Sequence, residues 1–308
     1  MKVLIVGFGS IGKRHFEILN GFNEIREIHI VTKQMLKDIR TFKKLEEIND
    51  LTTYDYFIIS SETVKHYEQL KYICSKVDNK KILVEKPLYD KSYDDINSNN
   101  KIFTAYNLRF HPVLQELSTL LKDEDIYYAN IICGQYLPTW RPEQDYKKSY
   151  SAKLEEGGGV LRDLSHELDY ATWLFGNIKK IESINTRISD LEINSDDIFT
   201  AIAITNRDVI VNLTIDYISK MPIRRLLIHT KNKTIEADVI NNSIVLYPKN
   251  GNSEKIKIEI VDRNHTYAKM HKNIIDDKFE ILCSFNNGKK IVDIISNIEF
   301  KEMTNASI

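Results

Sequence analysis

Two hydrophobic rhythms alternate along the first hundred residues. Short apolar-rich runs fall at Lys2–Val6, Glu27–Val31, Tyr56–Ile59, Lys81–Val84 and residues 102–106. Between them, residues 11–20 and 63–75 show helical spacing, and residues 90–100 read as a polar helix. Short apolar runs bounded by turn residues suit strands buried on both faces, and their alternation with helices predicts a parallel sheet with crossovers. A helix over 113–121 leads out of this region. From residue 126 the rhythm changes. Candidate strands over 127–136, 181–188, 200–204, 209–215, 225–229, 233–238, 243–247 and 255–260 follow in hairpin-like succession. They predict a large, mainly antiparallel open sheet with one or two helices on one face. The expected fold class is α/β. A doubly wound parallel sheet occupies residues 1–108 and an α+β domain residues 109–308, with no repeats and no low-complexity linker.

The first strand runs straight into Gly7-Phe8-Gly9-Ser10-Ile11-Gly12 and then a helix. In a G-x-G-x-x-G turn the first glycine permits the sharp bend. The second lets the backbone approach a pyrophosphate, and the third lets helix and strand pack closely. The helix N-terminus adds free N–H groups and partial positive charge. This is the signature of a Rossmann-type dinucleotide-binding domain. The second strand ends in Thr32-Lys33 with no acid to bind a ribose 2′-hydroxyl. A hydroxyl and an ammonium suit a 2′-phosphate better, so NADP(H) is favoured and NAD(H) left open. Ser60-Ser61-Glu62 after the third strand is expected to lie over the cofactor. His66, in the following helical turn, is either a cofactor neighbour or an ordinary helix-surface histidine. Glu85-Lys86-Pro87 follows the fourth strand, where a lysine could hand a proton to a substrate oxygen.

A long aromatic and arginine-bearing loop spans residues 136–150. Tyr136, Trp140 and Arg141 are candidates to hold a polar, ring-shaped ligand, and Arg109 joins them as a candidate for an anionic group. Each arginine has the alternative of pairing within the fold. After Gly157-Gly158-Gly159 the chain reads as one helix to Phe175, with Asp163, His166 and Asp169 at three-residue intervals. A carboxylate near a histidine raises its basicity and fixes its tautomer, as a general acid/base requires. With one histidine and no second ligand cluster, no metal site is expected.

Composition narrows the partners. The 43 Lys and Arg against 44 Asp and Glu give no electrostatic case for nucleic acid or an anionic membrane. Cys74, Cys133 and Cys283 are scattered and odd in number, which suits reduced thiols in a cytoplasmic protein. The N-terminal strand breaks at Gly7, unlike a signal peptide, and no apolar run approaches the ~18 residues a membrane helix needs.

Together these motifs resemble the glucose–fructose oxidoreductase / inositol dehydrogenase / rhizopine-catabolism (Gfo/Idh/MocA) family over nearly the full length. The carriers are the glycine turn, Glu85-Lys86-Pro87, the stretch from Asn107 to Pro112, and Gly158-Gly159-Val160-Leu161-x-Asp163 with His166-x-x-Asp169. Asp216-Tyr217, Pro222 and Arg224-Arg225 add to them. The resemblance implies an NAD(P)-dependent oxidoreductase that moves a hydride between nicotinamide and a hydroxyl or keto carbon of a sugar or sugar nucleotide. It implies Lys86 at nicotinamide and substrate, His166 as general acid/base, and Asp163 as its partner or a substrate ligand. It implies a homo-oligomer, dimer or tetramer, formed through the C-terminal sheet. The usual spacing is Asp-x-x-x-His, whereas here it is Asp163-x-x-His166 with Arg162 in the usual aspartate place, so the role of Asp163 stays open. The Leu-Ser-His-Glu-Leu-Asp-Tyr form of the motif points toward surface-sugar biosynthesis. Two alternatives share the fold: borrowed-hydride elimination or hydrolysis of a sugar, and non-catalytic cofactor sensing.

Overall fold

A computed structural model describes residues 1–298. The chain forms two compact units, one of Met1–Phe110 with Asp262–Ile294, the other built on His111–Val261. In chain order, the first unit opens with β1 (Lys2–Val6), α1 (Ser10–Leu19), β2 (Glu27–Val31), β3 (Thr41–Phe42), β4 (Tyr56–Ile59), α2 (His66–Cys74), β5 (Lys81–Val84) and β6 (Lys101–Thr104). The second contains α3 (Pro112–Leu120), β7 (Ile126–Gly134), α4 (Leu137–Trp140), α5 (Val160–Asp163) and α6 (His166–Phe175). It continues with β8 (Ile178–Thr186), β9 (Ile198–Thr205), β10 (Ile210–Asp216), β11 (Ile223–Thr230), β12 (Lys233–Asp238), β13 (Ser243–Pro248) and β14 (Glu254–Lys257). Then come α7 (His265–Ile275), β15 (Cys283–Ser284) and α8 (Phe285–Asn297).

The first sheet has the order β15-β6-β5-β4-β1-β2-β3 and is parallel except for β15. Its apolar runs are buried on both faces because alternate residues feed two cores. Leu4, Val6, Phe57 and Ile59 meet Leu70 and Ile73 of α2 on one side. Val3, Ile5, Tyr56 and Ile58 meet Leu19 of α1 and Met270 and Ile274 of α7 on the other. This second core explains why residues 262–294 return to the first unit, whereas the sequence boundary at 108/109 gives them all to the second domain. Residues 90–100 form no helix. Tyr93 instead stacks on Tyr67 with ring centroids 4.1 Å apart, which holds this stretch against the core.

The second sheet has the order β14-β13-β12-β11-β7-β10-β9-β8 and is antiparallel except for the β7–β10 pair. One face carries the buried residues Ala129, Ile131, Leu213, Ala201 and Phe199. On the other, register aligns Leu227, Asn130, Asn212 and Ile202 in one row across four strands.

Candidate active site

The parallel sheet delivers the expected cofactor residues to one edge. Registers Val6↔Ile59 and Ile59↔Val84 make Gly7, Ser60 and Glu85 the next residues out of three adjacent strands. The ladder continues one step, with Ser60 N donating to Val6 O and Glu85 N to Ile59 O, each at 2.8 Å. Ligands bind open α/β sheets at this carboxyl edge. Gly7 has φ +96°, and a Cβ there would sit 2.6 Å from Ser61 N. A Cβ on Gly12 would collide with the Gly7 carbonyl oxygen. Gly9 differs, because a Cβ there would meet no protein atom within 4 Å. Two glycines therefore serve the protein's own packing. The third faces open space ahead of the α1 N-terminus, where Ser10 and Ile11 begin the helix and no acidic side chain occupies the first turn. That vacancy for backbone approach, with orphan helix N–H groups beside it, fits a pyrophosphate.

Phe8 packs its ring edge on Phe16, and its carbonyl accepts a hydrogen bond from Gln34 Nε2 at 2.9 Å. Gln34 N also donates to Thr32 Oγ1 at 3.2 Å. Gln34 thus ties the Thr32-Lys33 turn to the glycine turn. Lys33 is exposed, and its charge helps to hold the Glu62 carboxyl below its ordinary range, after the larger effect of the Lys65 hydrogen bond. Glu62 itself pairs with Lys65 Nζ at 2.8 Å. Ser61 Oγ donates to Gln69 Oε1 at 2.6 Å.

Three expected ligand residues belong to the framework. Ser60 is buried, with Oγ donating to the Gly7 carbonyl at 3.1 Å, so it braces the glycine turn from behind. His66 is buried between carbonyls, with Nε2 3.1 Å from Ser61 O and Nδ1 3.2 Å from Leu88 O, and burial pushes its pKa down. It clips the loop after β4 to the loop after β5, a role neither sequence reading held. Arg109 is 2% exposed and donates to the carbonyls of Ile281 and Leu282, which favours its alternative of pairing within the fold and ties it to the bend that leads into β15.

Glu85 and half-buried Lys86 sit at the end of β5. Glu85 Oε2 accepts Lys86 N–H at 3.1 Å, and Glu85 Oε1 lies 2.9 Å from His15 Nε2. Behind it, His15 Nδ1 is 2.8 Å from His271 Nε2, and His271 Nδ1 is 2.9 Å from the Tyr56 hydroxyl. His15, His271 and Tyr56 are fully buried. Burial and then the neighbouring His15 hold His271 well below the ordinary histidine value. Sequence reasoning missed this chain. The only local signal is a histidine three residues after Gly12, on the inner face of α1.

In the second unit the expected single helix is two, because Leu164 leaves α5 with ψ +30° and α6 starts at His166. Asp163 is 6% exposed at the break. Its Oδ1 accepts the Tyr150 hydroxyl at 2.8 Å, and its Oδ2 accepts Ser151 Oγ and the Tyr217 hydroxyl at 2.6 Å each. Burial and then the Asp163 charge push the Tyr217 pKa far up, so Tyr217 stays a donor. Asp196 is buried alongside, accepting Leu161 N at 2.9 Å, and burial raises its carboxyl to about 6. The half-buried His166 opens α6, with Asp169 one turn on.

The aromatic loop forms a shallow, open depression lined by Leu137, Trp140, Arg141, Gln144, Tyr146, Ser149 and Ser151. The Arg141 guanidinium lies 5.9 Å from the Trp140 ring and 5.4 Å from the Tyr150 ring. Trp140 in turn rests on Tyr217, ring centroids 5.8 Å apart. Tyr136 stands at the start of α4 with Lys220 Nζ over its ring at 3.3 Å. Asp163 thus holds the pocket wall through Ser151, Tyr150 and Tyr217. Among the described residues no group of three or more His, Cys, Asp or Glu is placed to hold a metal, and no helix is long and apolar enough to cross a membrane.

A parallel sheet with a glycine turn open at its second glycine defines a dinucleotide-binding protein. Residues 1–113 match the oxidoreductase family with an NAD-binding Rossmann fold, and residues 125–236 match the Gfo/Idh/MocA C-terminal domain. The chain belongs to the Gfo/Idh/MocA family of oxidoreductases. An uncharacterized oxidoreductase of Synechocystis sp. is 25% identical over 193 residues, 57% of this chain and 52% of that protein, so the match spans about half that relative's length. Solved structures of sugar dehydrogenases share the fold. UDP-N-acetylglucosamine 3-dehydrogenase from Acidithiobacillus ferrooxidans is 16% identical with TM-score 0.75, covering 96% of this chain and 95% of its own. Levoglucosan dehydrogenase in complex with NADH is 14% identical with TM-score 0.81, covering 96% and 94%.

Proposed function

We propose that the protein is a nicotinamide-dependent dehydrogenase or reductase acting on a hydroxyl or keto carbon of a sugar or sugar nucleotide. The observation that carries this reading is the carboxyl edge of the parallel sheet, where the open Gly9 turn after β1 and the Glu85-Lys86 segment after β5 flank the end of β4 in one continuous register. Bound nicotinamide supplies or accepts the hydride. Gly9 and the α1 N-terminus would hold the pyrophosphate, with Gly7 and Gly12 shaping the turn, and the Lys86 ammonium and His166 imidazole would handle the proton of the reacting oxygen. Asp163 contributes as the anchor of the pocket wall, since its two oxygens already accept three hydroxyls. Trp140, Arg141 and Tyr146 offer a ring face, a cation and a hydroxyl to a polar ring. The names of the similar structures, a levoglucosan and a UDP-N-acetylglucosamine dehydrogenase, support a sugar-class substrate.

NADP(H) is the favoured cofactor in this proposal, supported by Thr32 and exposed Lys33 at the end of β2 and by the Gln34 ties that hold that turn to the glycine turn. We also propose a homo-oligomer through the open face of the second sheet, where Ile184, Ile202 and Ile210 expose 44–59% of their surface, and a cytoplasmic setting consistent with three free cysteines. Turnover tests the reading. With levoglucosan and UDP-N-acetylglucosamine as first probes, Lys86→Ala and His166→Ala each lose about 100-fold or more in rate while keeping cofactor affinity. Normal turnover in both variants overturns it. Product formed without change in the bound cofactor would favour the borrowed-hydride alternative instead.

A further inference from the structure

Four residues far apart in the chain meet in the interior of the first unit: His15 on α1, Tyr56 on β4, Glu85 after β5 and His271 on α7. Their polar atoms form a single file, Tyr56 hydroxyl to His271 Nδ1 at 2.9 Å, His271 Nε2 to His15 Nδ1 at 2.8 Å, and His15 Nε2 to Glu85 Oε1 at 2.9 Å. The last oxygen of the file, Glu85 Oε2, accepts the backbone N–H of Lys86 at 3.1 Å.

With Glu85 ionised and both rings neutral, one assignment of protons satisfies every link. A buried carboxylate needs donors. Lys86 N–H supplies one, so His15 supplies the other and carries its proton on Nε2. The His15 Nδ1 lone pair then needs a donor, which places the His271 proton on its Nε2. The His271 Nδ1 lone pair is left for the Tyr56 hydroxyl. In that assignment both rings are Nε2–H tautomers, each donating toward Glu85 and accepting from behind. Burial supports this state, since it disfavours a charged His271 and keeps Tyr56 protonated.

We propose that His15 and His271 are positioning residues for Lys86: the one-way file of hydrogen bonds holds Glu85 as an oriented carboxylate, and Glu85 in turn fixes the backbone from which the Lys86 side chain extends. This rests on the reading of Lys86 as a proton-handling group. It also gives α7 a task at the site, since this C-terminal helix enters the first unit and supplies His271. The rings around the file fit a role that needs fixed geometry. The His15 ring meets the Tyr267 ring edge-on at 5.6 Å and His271 at 4.9 Å. Arg14, over the Tyr267 ring at 5.4 Å, is the cation of that wall.

The test uses the full chain and needs no substrate. Histidine-selective ¹⁵N NMR near neutral pH is expected to show His15 and His271 as neutral Nε2–H tautomers. The Lys86 amide is expected to exchange slowly in the parent and at least about 10-fold faster in His15→Phe, the weight of one charge-assisted hydrogen bond. His15→Gln, which can both donate to Glu85 and accept from His271, is expected to restore most of the protection. NADPH affinity by fluorescence is expected to stay within about twofold. An Nδ1–H tautomer or a cationic ring at either histidine overturns the proposal, as does Lys86 exchange unchanged in a folded His15→Phe. Should His15→Phe not fold, His271→Gln and the parent tautomers decide in the same way. Because none of these readouts uses turnover, an active Lys86→Ala variant would defeat the catalytic reading alone.

Discussion

Tyr217 donates its hydroxyl to Asp163 Oδ2 across 2.6 Å, joining the end of β10 to the break between α5 and α6. With Ser151 on the same oxygen and Tyr150 on the other, Asp163 terminates three hydroxyl donors. This makes the Asp163-x-x-His166 stretch a structural joint as well as a candidate catalytic element, and the two roles can be separated.

Asp163→Ala leaves buried hydroxyls without their acceptor. The expected cost is at least about 3 kcal/mol of unfolding free energy, measured by urea denaturation. His166→Ala, at the half-buried start of α6, is expected to cost under about 1 kcal/mol and to act on turnover instead. A fully stable Asp163→Ala protein would contradict the joint.

The glycine turn makes a sharper contrast. Gly9→Ala is expected to fold with nearly parental stability, because its Cβ meets no protein atom, yet to weaken NADPH binding about 10-fold or more. Gly12→Ala is expected to destabilise the fold outright, since its Cβ runs into the Gly7 carbonyl oxygen. Thermal melts with and without NADPH separate the two outcomes.

Acid is expected to destabilise the protein. His66 and His271 have folded pKa values below the ordinary 6.5, so below that pH the unfolded chain binds protons that the folded chain refuses. Their contribution is whole above pH 6.5 and is lost as pH falls toward the folded values, at up to about 1.4 kcal/mol per pH unit for each group. Asp196 works oppositely. Its carboxyl, raised from 3.8 to about 6, costs stability above pH 6 and relieves that cost as it protonates below. Asp196→Asn is therefore expected to stabilise the protein by about 2 kcal/mol at pH 8 and by little at pH 4. Urea midpoints across that range check both signs.

Much of the first unit was legible because its strands are buried on both faces and so read as plain apolar runs, and because Gly7 and Gly12 answer to local geometry. The second sheet was legible from its strand succession. What escaped depends on distant packing. Nothing near His15 announces that His271, on a helix some 250 residues later, completes its hydrogen bonds. Arg109 and His66 have the chemistry of ligand residues, and only burial among carbonyls reveals their framework role. The break at Leu164 lies inside a helical pattern with no Gly or Pro to mark it.

The open sheet face predicts an assembly. Ile202→Lys, on the exposed face, is expected to shift the protein from an oligomer to a monomer in light scattering without altering its melt. A parent that is monomeric at every concentration would contradict the interface.

The central claim is tested most directly by titrating the full chain with NADPH and with NADH while following nicotinamide fluorescence. The account predicts saturable binding, tighter for NADPH, and binding weakened about 10-fold or more in the folded Gly9→Ala variant. Tighter NADH binding would reverse the reading of Thr32 and Lys33 and leave the enzyme intact. No saturable signal with either dinucleotide would contradict the account at its base.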